Sequence, residues 1–99
     1  IIVILDNKYR FLSETTVTLG LLNRSLVHPR EVFAEAIEQR AAAIICIHNH
    51  PSGDSSPSEE DKRITRRLQE SGELLGIPLL DHIIISKEDF TSFADEGWL

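Results

Sequence analysis

The sequence predicts a small α/β domain, a mixed sheet flanked by helices. Three observations carry that reading. Two apolar runs, residues 1–5 and 43–47, are too dry to present a wet face and read as buried strands. Two stretches with helical apolar spacing, one after His28-Pro29 and one after Ser58, alternate with the strands. The resulting order, β-β-α-β-α-β with a short last strand, buries its apolar faces by setting helices against a sheet.

Each element has a local cause. After residues 1–5, Asp6-Asn7-Lys8 is a turn signal, and residues 9–19 alternate loosely around Thr and Val as a second, antiparallel strand. Gly20 begins a break, and the stretch to Val27 fits no single element. Pro29 suits a first helical turn and Glu31 its positive end; His28 is read as preceding that helix. Val32, Phe33, Ala36 and Ile37 make its apolar stripe, which should end near Ala41. After residues 43–47 the chain turns polar, with Pro51, Gly53 and Pro57 opposing regular structure. Ser58 then caps a helix whose first turn carries Glu59, Glu60 and Asp61. Ile64, Leu68, Leu74 and Leu75 supply its apolar face, Gly72 weakens it and Gly76 stops it. Residues 78–86 read as a strand, residues 90–93 as a short last one, and the tail carrying Trp98 as frayed.

Ninety-nine residues make one domain, with an ordinary 41% hydrophobic and 26% charged composition. The chain lacks methionine and opens inside an apolar run, so it is expected to be the C-terminal part of a longer protein, its first strand truncated. No apolar stretch is long enough for a bilayer, no secretory signal is seen, and the lone Cys46 fits a reducing cytoplasm. A net charge of −6 argues against nucleic acid as a partner of this domain alone. Lys62, Arg63, Arg66 and Arg67 form one basic cluster, read as the solvated face of a helix.

The chemistry concentrates after residue 47. His48 and His50 leave a strand two residues apart, so both imidazoles can point to one side, and Pro51 keeps His50 out of helical geometry. Two neutral imidazoles are half of a zinc site, and Asp61 in the next helix is the natural third ligand, leaving one position open. Zinc with that ligand set keeps a charge near +1 and draws the pKa of bound water toward ~7. Ser58, about one turn before Asp61, can donate to an oxyanion. Taken alone, Ser58-x-x-Asp61 is a helix cap and the histidines are polar residues entering a loop. The combination is far rarer by chance than its parts.

The run His48-x-His50-x7-Ser58-x2-Asp61 resembles the JAMM motif of the JAB/MPN zinc metalloproteases. The wider sequence around it, with Leu26-Val27-His28-Pro29-Arg30-Glu31-Val32-Phe33, Glu73-Leu74-Leu75-Gly76-Ile77 and Leu80-Asp81-His82-Ile83-Ile84, is similar to the bacterial RadC-like branch. The resemblance implies a JAB/MPN fold of the cytidine-deaminase-like class: a curved mixed sheet with a helix on each side. It further implies zinc on His48, His50 and Asp61, and Ser58 stabilising the tetrahedral intermediate as water attacks an amide or isopeptide carbonyl of a peptide or protein substrate. A glutamate near the family's first strand serves as general base. Here it would lie upstream of Ile1, with Glu14 the nearest carboxylate in the hairpin. A non-catalytic JAB-type module and a DNA-repair factor are the competing readings. Asp81 and His82 must face opposite ways, one being a candidate to orient a zinc-bound histidine. Asp54 is read as a turn residue or outer carboxylate, and Cys46 as core. The apolar first strand makes pairing between copies an expectation.

Overall fold

The computed structural model describes residues 1–17, 29–50 and 53–99. Among these residues five strands form one sheet: β1 (Ile2–Leu5), β2 (Phe11–Thr15), β3 (Ala43–Asn49), β4 (Leu79–Ile85) and β5 (Phe90–Ser92). Helix α1 (Pro29–Glu38) joins β2 to β3, and α2 (Glu59–Leu75) joins β3 to β4. The spatial order is β2-β1-β3-β4-β5; β3 and β4 are parallel and every other pair is antiparallel. The predicted mixed α/β architecture is therefore present. The break at Gly20, the residues to Val27, the approach through His28, the end of the second strand at residues 18–19, and Pro51 lie outside the described residues.

The β1–β2 turn is organised by Asp6, whose Oδ1 accepts the N–H groups of Lys8 at 2.8 Å and Arg10 at 2.9 Å. Tyr9 completes the turn at φ 59°, so β2 begins at Phe11 rather than at residue 9. Val32, Phe33 and Ala36 of α1 meet Leu68 of α2 and Ile2, Ile4 and Ile44 of the sheet in one cluster. Ile2 and Ile4 alternate along β1, and Ile4 sits opposite Ile44, so these residues share one face. Both helices therefore cover the same side of the sheet, instead of one on each side as the resemblance implies. Ile37, expected on the α1 stripe, is 52% exposed. The helix stops three residues before Ala41 because Arg40 turns left-handed at φ 53° and Ala41 donates back to the Ala36 carbonyl at 2.9 Å.

Helix α2 buries Asp61, Thr65, Leu68 and Gly72, a stripe with little apolar surface. Leu74 and Leu75, expected on its inner face, are exposed, and Ile64 packs only at the margin of the core. Gly72 is a contact point more than a weak link: a Cβ there would come within 2.5 Å of the Ile77 carbonyl oxygen. Gly76 ends the helix at φ 74°, as predicted. The C-terminal tail is not frayed. Trp98 N–H donates to the Phe93 carbonyl at 2.9 Å, the two rings meet edge to face at 5.3 Å, and Leu99 packs against the core. Among the described residues no helix is long and apolar enough to cross a membrane.

Candidate metal centre

Parallel pairing with β4 carries β3 two residues beyond its predicted end. His48 thus lies within the ladder opposite Ile84, and His50 N–H continues the pattern by donating to the Ile85 carbonyl at 2.8 Å. Two residues beyond Cys46 and four beyond Ile44, His48 has its side chain on the face covered by the helices. The loop that follows is tied down by Ser55, whose hydroxyl meets Thr91 Oγ1 of β5 at 2.9 Å.

That loop delivers Asp61 back to the histidines. Ser58 is the N-cap of α2, and a reciprocal capping box forms: Asp61 N–H donates to Ser58 Oγ at 3.0 Å, and Ser58 N–H donates to Asp61 Oδ2 at 2.8 Å. The same carboxylate faces the imidazoles. Its Oδ1 is 3.3 Å from His48 Nδ1 and its Oδ2 is 3.3 Å from His50 Nε2. One ligand atom from each of His48, His50 and Asp61 can be chosen so that all lie within 4.8 Å of one another. Zinc–ligand bonds of about 2.0–2.1 Å in tetrahedral array separate donor atoms by roughly 3.4 Å, so these residues fit such an ion with little closing of the rings. Two neutral imidazoles and a carboxylate are also a donor set that catalytic zinc sites use.

The electrostatics favour the ligating form of Asp61. Burial pushes the Asp61 carboxyl up, but the hydrogen bonds from Ser58 and the charges of His48 and His50 outweigh it and hold the group below the usual carboxylate range. Asp61 is therefore an anion at neutral pH although it is only 1% exposed. His50 Nδ1 is 3.4 Å from the Asp54 carbonyl oxygen, a contact that turns Nε2 toward Asp61. Asp54 itself is exposed, and its carboxylate accepts from Ser56 N–H at 2.9 Å, as a turn residue does.

Asp81 and His82 divide as expected. Asp81 Oδ1 accepts from Ala94 N–H at 3.0 Å and its Oδ2 from the Ser92 hydroxyl, so it fastens the chain after β5 to β4. His82 is the member that reaches the site. Its Nδ1 is hydrogen-bonded to Thr65 Oγ1, and the Thr65 hydroxyl donates to the Asp61 carbonyl at 2.7 Å. A hydroxyl has one proton, so His82 carries its own on Nδ1, and Nε2 is the bare, buried nitrogen, with no hydrogen-bond partner among the described residues. Burial pushes the His82 pKa down to about 4, helped by His48. The ring is sandwiched between His48, centroids 6.1 Å apart, and Phe93, 4.8 Å apart. Sequence reasoning missed Thr65 and Phe93. Thr65 was findable, standing one helical turn after Asp61 on the same stripe.

Two residues do not join the site. Glu14 sits opposite Val3, on the face of the sheet away from His48, and is exposed. Among the described residues no glutamate completes the three-ligand group. Cys46 is two residues before His48 as predicted, and burial pushes its thiol up to about 11, which leaves it a packing residue and not a nucleophile.

Comparison with known proteins agrees with this geometry. The model of the RadC-like JAB domain family matches residues 1–98. A UPF0758 protein of Bacillus licheniformis is 56% identical over 98% of this chain and 43% of its own length. Another UPF0758 protein, from Methanospirillum hungatei, is 64% identical over 85% of this chain and 37% of its own length. A third, from Thermotoga maritima, is 49% identical over 99% of this chain and 44% of its own length. The chain thus spans about two-fifths of the length of these curated relatives. With its His-x-His strand end, capped aspartate and mixed sheet, the chain belongs to the RadC-like JAB domain family.

Proposed function

We propose that this chain is a zinc-dependent hydrolase domain acting on amide or isopeptide bonds of peptides or proteins. The observation that carries the reading is the buried Asp61 carboxylate held 3.3 Å from an imidazole nitrogen on each side. His48, His50 and Asp61 would hold the ion, which supplies Lewis acidity to water and to a carbonyl when bound. The chain's own residues do the rest. Asp61 stays ionised, the Asp54 carbonyl aims His50, and Thr65 with His82 fixes the first turn of α2. Ser58 uses one lone pair in the cap and keeps a hydroxyl proton that can be donated to a developing oxyanion. Because Glu14 faces away, the general base is assigned to a carboxylate outside these residues, within the remaining length that the relatives possess.

Elemental analysis of the purified domain tests the first half. About one zinc per chain is expected, lost in His48→Ala and Asp61→Ala; a protein that never takes up zinc while remaining folded overturns the reading. A peptide-library cleavage assay on the full-length, zinc-loaded protein tests the second half. Absence of cleavage there would make this a non-catalytic JAB-type module in which Asp61 serves the helix cap.

A further inference from the structure

Lys62, Thr65, Arg66 and Gln69 follow one stripe of α2 and line a cleft of about 230 Å³, with Phe93 and Trp98 as its other wall. Phe93 is fully buried and forms a fixed floor, whereas Trp98 is 47% exposed. The Lys62 ammonium stands 5.5 Å from the Trp98 ring centroid, near enough for attraction by the ring. Its other neighbour, Glu59 Oε1 at 3.7 Å, is on a largely solvated side chain, and an exposed pair of this kind holds a lysine only weakly. Arg66 has no ion-pair partner among the described residues. A chain of net charge −6 has therefore gathered two available cations beside a half-open tryptophan.

We propose that this cleft binds an acidic peptide segment, its carboxylate taken by Lys62 and Arg66 and a neighbouring apolar side chain laid against Trp98. Volume and charge choose this occupant. Cofactor and nucleotide pockets usually run from about 300 to 1,000 Å³, and this one suits one or two side chains. Two cations attract a carboxylate, but a nucleic acid strand would meet the repulsion of the rest of the molecule. The cleft adjoins the candidate metal centre, sharing Thr65 and Phe93 with its surroundings, but it contains none of His48, His50 or Asp61, and its test involves no metal.

Trp98 is the single tryptophan of the chain, so intrinsic fluorescence reports on this cleft alone. The probe is a short synthetic peptide of alternating glutamate and leucine with blocked ends, titrated into the purified protein. The expected result is a saturable change that weakens as salt is raised. Affinity should fall about tenfold in Lys62→Gln and in Arg66→Gln, and about tenfold when glutamine replaces glutamate in the peptide. No saturable change, equal binding of the glutamine peptide or of a lysine–leucine peptide, or tighter binding of a single-stranded oligonucleotide would overturn the proposal. The peptide series decides the matter even if either variant fails to fold.

Discussion

The β1–β2 hairpin and the β3–α2–β4 crossover belong to one sheet but do different work. The hairpin is closed by a short turn that satisfies itself through Asp6, and its outer strand leaves Phe11 and Leu12 exposed. The crossover must lift the chain off the sheet, run it back as a helix and re-enter in parallel beside β3. That path sets the first turn of α2 over the end of β3, where His48 and His50 emerge. Strand ends at such exits collect sites because several polar chain ends converge there under a packed helix. The hairpin contributes framework; the crossover contributes the candidate metal cluster.

If the crossover carries the titrating machinery, acid should act through it. His82 titrates near 4 when folded, against about 6.5 in an unfolded chain. Between those values the unfolded state takes up a proton that the folded state refuses, so stability is full above ~6.5 and falls as pH drops through that window. The loss by pH 4 should reach roughly 3 kcal/mol. The depressed Asp61 carboxyl adds a further loss in the same direction below the ordinary carboxylate value of about 4. Urea melts of the metal-free protein across this range measure it. In His82→Gln the slope between pH 6.5 and 4 should flatten; an unchanged slope would show that some other group is responsible.

The members of the His48-His50-Asp61 cluster were legible because their signals are local: a His-x-His at the end of an apolar run, and an aspartate three residues after a capping serine. The mixed sheet was legible for the same reason, from short runs and their order. What could not be read depends on distant partners. β3 reaches Asn49 only because β4 offers a parallel edge. The Thr65–His82 bond joins residues seventeen apart across a helix–strand contact. Leu74 and Leu75 suggested an apolar face, yet the inner stripe of α2 is Asp61, Thr65, Leu68 and Gly72, since that stripe serves a site at one end and a close backbone approach at the other. Trp98 looked like the end of a loose tail because nothing nearby in sequence announces Phe93 as its partner.

Ser58 sharpens the comparison at a smaller scale, since its hydroxyl sits in a cap and also against Asp61 of the candidate metal cluster. Ser58→Ala should cost about 1 kcal/mol in stability, and Ser58→Gly only a few tenths. Zinc content should survive in both. If the hydroxyl also serves an oxyanion, peptide cleavage by the full-length protein should drop about 10²–10³-fold in both variants alike. A rate that tracks the stability difference between Ala and Gly would assign Ser58 to the cap alone.

The smallest effect is expected in the hairpin. Glu14 is exposed, lies on the face away from His48 and has no ion-pair partner among the described residues. Glu14→Gln should therefore change stability by no more than about 0.5 kcal/mol and leave zinc stoichiometry as it was. Cleavage by the full-length protein should be equally unaffected, because a general base must come within hydrogen-bond reach, directly or through one water, of the proton it takes. A steep loss of activity with metal retained would mean that β2 rearranges to bring Glu14 around the sheet edge, and the division between framework and chemistry would then fail at its simplest point.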